Sequence, residues 1–166
     1  MNYISLDIKT AKGQATLKQE ERAIQIYEDL NPHGHKFAET KKDSPAVVDG
    51  FLLKNNIIVG VVESKCRNMR YRELFENYGG DWLVTEEKIN RARHLATELC
   101  VPLYGFLYLV PNDRLLVKMI CDDRGYLTAP YRVEASETQR TVNGGTIIRN
   151  NAYINMENSD SYRYNS

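Results

Sequence analysis

Apolar positions along the chain recur in two periods, and these mark out its elements. Over 16–30, Leu17, Ala23, Ile24, Tyr27 and Leu30 follow at helical spacing behind Thr16, a residue able to cap a first turn. Asn31-Pro32-His33-Gly34 ends that helix, because proline disfavours the helical conformation of the residue before it. A short strand over 3–8 precedes the helix, and a polar connector over 36–45, with room for an edge strand, follows it. Two apolar runs, 46–54 and 57–64, flank Asn55-Asn56 and read as paired strands. The stretch 67–81 is polar and aromatic, with a turn or two of amphipathic helix through Tyr71, Leu74, Phe75 and Tyr78, and Trp82-Leu83-Val84 is a brief apolar step. The clearest helix spans 86–99. Its stripe is Ile89, Ala92, Leu95, Ala96 and Leu99, and acids occupy its first turn, where the helix dipole favours them. Strands over 103–110 and 114–121 are separated by the turn Pro111-Asn112-Asp113. Residues 122–137 read as loop, and 157–166 carries no hydrophobic period, which predicts a frayed end. The order predicts one α/β domain over 1–153, a mixed central sheet flanked by helices, with 154–166 as a flexible tail.

Composition narrows this only slightly. A chain of 166 residues, 42% hydrophobic and 27% charged, is of ordinary globular make-up and fits one core. Lys+Arg and Asp+Glu are both 22, and a neutral chain can still segregate a basic groove, so the balance leaves nucleic acid open as a partner. Cys66, Cys100 and Cys121 are odd in number and widely spaced, which speaks against a disulfide framework or a structural zinc site and for buried thiols. The first residues lack a signal-peptide pattern, and the longest uncharged apolar runs, 57–62 and 101–110, are too short to span a bilayer. A soluble cytoplasmic protein without a membrane partner is the expectation.

The chemistry concentrates in the hairpin. Asp49 opens its first strand, and Glu63-Ser64-Lys65 closes its second. Strand side chains alternate faces, so Glu63 and Lys65 project together, beside Val61. A carboxylate and an ammonium at the mouth of an apolar strand are costly unless something uses them. Asp49 joins them only on a condition. A plain two-residue turn at Asn55-Asn56 sets Asp49 opposite Val62 and turns it away from Glu63, so a shared site requires an odd loop or a bulge between them.

An Asp, an apolar strand and Glu-x-Lys, with Glu21-Arg22-Ala23-Ile24 on an earlier helix, resemble the PD-(D/E)XK nuclease superfamily, above all small Holliday-junction-resolvase-type enzymes. Val48 stands where the eponymous proline would, and the likeness covers about 15–121. The resemblance implies a restriction-endonuclease-like fold and a Mg2+- or Mn2+-dependent nuclease acting on DNA. It implies Asp49, Glu63 and the backbone carbonyl of Ser64 as metal ligands and Lys65 as the residue that orients water or stabilises charge. Glu21 would reach the metal through water, with Glu20 as its rival on the same helix. A hard cation suits that chemistry, because it prefers oxygen ligands, lowers the pKa of water and neutralises phosphate. The alternative is a non-catalytic member that keeps the fold and binds nucleic acid or protein. A homodimer is left open.

Arg67, Arg70 and Arg72 follow the motif, and Lys88 and Arg91 lie on the next helix. They read either as phosphate contacts, with Tyr71, Phe75, Tyr78 or Trp82 available for stacking, or as solvated faces balanced by Glu73, Glu76, Glu86 and Glu87. His33 and His35 read as polar loop. Asn143-Gly144-Gly145 marks a turn, of either a substrate loop or a plain hairpin.

Overall fold

The computed structural model describes residues 10–41, 46–137 and 144–165. The strand expected over 3–8 and Asn143 of the Asn143-Gly144-Gly145 turn lie outside them. Helix α1 (Ala11–Leu30) starts earlier than its apolar spacing predicts. Thr10 caps it, accepting from the Gly13 backbone N–H at 3.0 Å, while Thr16 donates its hydroxyl to the Lys12 carbonyl inside the helix.

After α1 the chain runs through β1 (Lys36–Glu39), β2 (Gly50–Lys54), β3 (Ile57–Arg67), α2 (Tyr71–Asn77), β4 (Asp81–Thr85), α3 (Glu86–Glu98) and β5 (Leu103–Leu109). A single 3-10 turn (Val110–Asn112) then leads to β6 (Arg114–Cys121), β7 (Tyr131–Glu137), β8 (Ile148–Asn155) and β9 (Asp160–Tyr162). The protein is mixed α/β. Six strands form a central sheet in the order β1-β2-β3-β5-β6-β9, antiparallel throughout except for β3 beside β5. A parallel pair needs a crossover, and α2, β4 and α3 supply it.

The sheet has a helix on each face. Ala23, Ile26 and Tyr27 of α1 pack with Leu52, Val62, Phe106 and Leu115 on one side. Ile89, Ala92 and Ala96 of α3 pack with Val61, Leu103, Leu107 and Ile120 on the other. A second sheet, β4-β8-β7, closes over the α3 side through Trp82, Val84, Ala152 and Ile154.

That second sheet and the C-terminus correct two expectations. Residues 131–137, read as loop, form β7; Val133 and Ala135 alternate with charged residues, but both are exposed, so no apolar face marks the strand. The stretch expected as a tail from 154 onward is not free over 154–165. Ile154 and Met156 are buried, and β9 pairs with β6 from Leu115↔Tyr162 to Val117↔Asp160. Tyr162 meets the Tyr27 ring edge-on at 5.7 Å, and the Tyr164 hydroxyl donates to Asp29 at 2.5 Å. Three paired residues and two aromatic anchors are too few to give a period, yet they fix the end of the chain. Among the thiols Cys121 is buried and Cys66 half-buried, but Cys100 is exposed at a left-handed helix end.

Packing requires a glycine in the middle of β5. A Cβ on Gly105 would stand 2.6 Å from Cζ3 of Trp82 and 3.0 Å from Cδ1 of Ile120. Both neighbours are fully buried, so neither can give way cheaply. Gly105→Ala is expected to cost about 1–3 kcal/mol of stability, measurable by urea unfolding. The same change should shift the emission of Trp82, the sole tryptophan.

Candidate active site

The β2–β3 hairpin turns at Asn55 and Asn56, both left-handed with φ of 52° and 62°, the backbone of a two-residue type I′ turn. Lys54 accordingly lies opposite Ile57, and Leu53 opposite Ile58. The register then slips: Leu52 faces Gly60 and Gly50 faces Val62, leaving Val59 as the extra residue of a bulge. Pairing ends at Gly50 and Val62, and Asp49 lies just beyond it, where its charge acts on both Glu63 and Lys65. The bulge that a shared site requires is therefore present.

Asp49 is fixed from three directions. Its N–H donates to the Val62 carbonyl at 3.1 Å, its own carbonyl accepts from the Thr40 hydroxyl at 3.0 Å, and its Oδ2 accepts from the Ser64 N–H at 2.7 Å. A strand residue's N–H and C=O point to the same edge, so the Ser64 carbonyl also faces the side where Asp49 lies. β2 ends its pairing at Val62, so among the described residues no strand pairs with this edge of β3 beyond it.

Glu63 is fully buried. Burial, and then the neighbouring charge of Asp49, push its carboxyl up to about 7. Its Oε1 accepts from Lys88 Nζ at 3.2 Å, while its buried Oε2 meets no hydrogen-bond partner among the described residues. An orphaned buried carboxylate oxygen is expensive and calls for a ligand. Lys65 has its ammonium pushed below the ordinary lysine value, first by burial and then by Lys88. For Lys88 burial works against the charge, but Glu63 and Asp49 outweigh it and the pKa is raised. Two acids and two lysines thus share one half-enclosed site.

Lys88 enters the site from the first turn of α3, which packs on the face that Glu63 and Lys65 occupy. The sequence marks it as a basic residue of a helix face; its place beside Glu63 follows from how α3 crosses the sheet. Arg67 continues the same alternation two residues beyond Lys65 and is half-buried, bonding to the Cys66 carbonyl at 3.2 Å. Arg72 and Arg91 instead pair with Glu76 and Glu87 on their own helices, at 2.7 and 2.6 Å, as solvated-face residues do. Arg70 is exposed at the start of α2. Of the five basic residues singled out in the sequence, the structure brings two to the site.

Of the two helix acids, Glu21 is exposed on α1. Glu20 is half-buried and acts on β3: the Cys66 thiol is pushed up to about 12, first by burial and then by Glu20. Both acids lie on the α1 side of the sheet, opposite Lys88, and one residue of helical phase separates inward from outward. His35 is occupied elsewhere, its Nδ1 meeting the Tyr27 hydroxyl at 2.8 Å.

Among the described residues no three His, Cys, Asp or Glu side chains converge. The oxygens available to a hard cation are the two carboxylates of Asp49 and Glu63 and the Ser64 carbonyl, a set that water completes. Comparison with known protein families and with characterised proteins finds no match for the chain.

Proposed function

We propose that the protein is a metal-dependent nuclease that hydrolyses phosphodiester bonds in DNA. The closeness of Asp49 to Glu63 carries this reading: the two like charges repel, Lys88 and Lys65 offset that only in part, and the Glu63 carboxyl stays raised to about 7, as a site built for a further cation would leave it. Asp49, Glu63 and the Ser64 carbonyl would hold Mg2+ or Mn2+, which supplies charge neutralisation at the phosphate and a hydroxide near neutral pH. Asp49 is pre-positioned for this by its hydrogen bond from Ser64. Glu63 contributes its Oε2, which has no hydrogen-bond partner among the described residues, and must give up its proton to do so. Lys65 lies on the face of Glu63 and is placed to orient the attacking water or to meet charge developing on the phosphate.

A second reading rests on Lys88. Its ion pair with Glu63 already offsets one buried charge, as it would in a nucleic-acid-binding or protein-interaction module that no longer turns over. Incubation with single-stranded, duplex and branched DNA in magnesium or manganese separates the two. The nuclease reading expects products that EDTA suppresses. It also expects Asp49→Ala to cut activity by more than about 100-fold, the upper range for mere outer-shell partners of a metal. DNA binding without cleavage under every condition would favour the second reading.

A further inference from the structure

Past Lys65 the strand reaches a cavity of about 580 Å³ at the margin of the second sheet, lined among others by Arg67, Tyr78, Trp82, Leu107, Arg132 and Tyr153. It adjoins the candidate active site. Glu63 and Lys65 stand beside Gly105 and Leu107 of β5; the Trp82 ring covers Gly105, and Leu107 is part of the cavity wall. Arg67 follows Lys65 by two residues on the same face, a rise of about 7 Å along the strand.

The lining has a definite chemistry. Tyr153 presents a ring already capped by the Arg132 guanidinium, 4.3 Å from its centroid, and Arg132 is held there by Asp81. Trp82 is buried, and its Nε1–H meets no acceptor among the described residues, so an occupant offering an acceptor would relieve that cost. Asn77 adds an amide at the margin. Arg67 holds its charge in a half-buried place, where burial lowers its pKa below the ordinary value. Arg132 is neutralised by Asp81 and by Glu134 at 3.0 Å, which leaves Arg67 as the cation facing a phosphate. Aromatic faces, a buried donor and one such guanidinium in a volume of this size match one nucleotide: a flat base with ring acceptors, and a phosphate.

We infer that this cavity receives one unstacked nucleotide of a DNA strand whose neighbouring phosphate lies at Lys65. A base inside a duplex is stacked on both faces and enters only after unpairing and unstacking at a cost of a few kcal/mol, so the preferred substrates are DNAs with unpaired nucleotides: single strands, flaps or open branches. This rests on the nuclease reading for the identity of the polymer, and its test runs without cleavage.

Trp82 reports on the cavity directly, being the only tryptophan. A single-stranded oligonucleotide of mixed sequence, titrated in EDTA at low salt, is expected to quench its emission saturably. The blunt duplex of the same sequence should bind about tenfold more weakly or worse, and Tyr153→Ala should weaken single-strand binding by a similar factor, the loss of one base stack. Arg132→Ala, at an exposed side chain, is the second variant; unfolding curves check both. Equal affinity for single strand and duplex, or variants that bind as wild type does, would overturn the inference. Selective single-strand binding without cleavage in magnesium leaves the cavity assignment standing and the nuclease reading fallen. Cleavage of duplex and single strand alike, unaffected by Tyr153→Ala, does the reverse.

Discussion

Lys65→Met is expected to lower phosphodiester cleavage by about 10²–10³-fold, the range for removing one preorganised charge stabiliser. Methionine keeps the length and packing of the stem, so the loss isolates the ammonium. What makes the position special is its surroundings: half-buried, beside a second lysine, and near two carboxylates. An ammonium held there costs no reorganisation when charge develops on phosphate. Burial and Lys88 also make it a weaker holder of its proton than an ordinary lysine, which opens a second role, as a base toward water. The two roles differ in sign with pH. A cation stabilises only while protonated, so activity would fall as pH rises through its pKa; a base acts only when deprotonated, so activity would rise. The rate–pH profile of wild type beside Lys65→Met decides between them. Lys88→Met is the control, because it removes the partner of Glu63 at 3.2 Å and leaves Lys65 in place. If Lys88→Met abolishes cleavage and Lys65→Met costs less than about tenfold, the two lysines exchange their assigned roles.

How far the site could be read from the chain differs residue by residue. Glu63 and Lys65 were legible because a strand has a period of two whatever surrounds it. Asp49 was legible only as a condition: the need for a bulge follows from parity, but nothing in Ile57-Ile58-Val59-Gly60 says which residue is extra. Glu20 and Glu21 differ by one step of helical phase, and that phase is set at Thr10, before the apolar stripe begins. Lys88 needed the crossing of α3 over the sheet, a tertiary fact. The second sheet was hidden for a different reason. β7 is exposed along most of its length, so its alternation of Arg132 and Glu134 with Val133 and Ala135 carries no inside and outside to read. The mixed central sheet with a helix on either face was legible because apolar periods mark most of its strands and both flanking helices; β9, without such a period, was not.

Glu63→Gln should make the protein more stable at pH 8 than wild type, and no more stable at pH 4.5. The carboxyl is raised from an ordinary value of 4.5 to about 7, so between these limits the folded protein holds a proton that the unfolded chain releases. Stability from this group is therefore fully present below about pH 4.5 and is lost as pH rises toward and through 7. The full shift corresponds to about 3 kcal/mol. Glutamine keeps the shape and avoids the buried charge but loses the Lys88 ion pair. Lys88 is partly exposed, and its ammonium can return to water at small cost. A net gain of about 1–3 kcal/mol at pH 8 is the expected result from paired urea unfolding curves. The difference between the two proteins is the quantity to plot, since Asp113, held below the ordinary carboxylate range by Arg22, tilts both curves the opposite way. Magnesium should then reverse the order. A cation between Asp49 and Glu63 binds the ionised form, so it should stabilise wild type increasingly from pH 6 to 8 and leave Glu63→Gln nearly unmoved. Wild-type stability that ignores magnesium at pH 8, with the Gln variant still the more stable, would mean that the strained acid pair serves no metal.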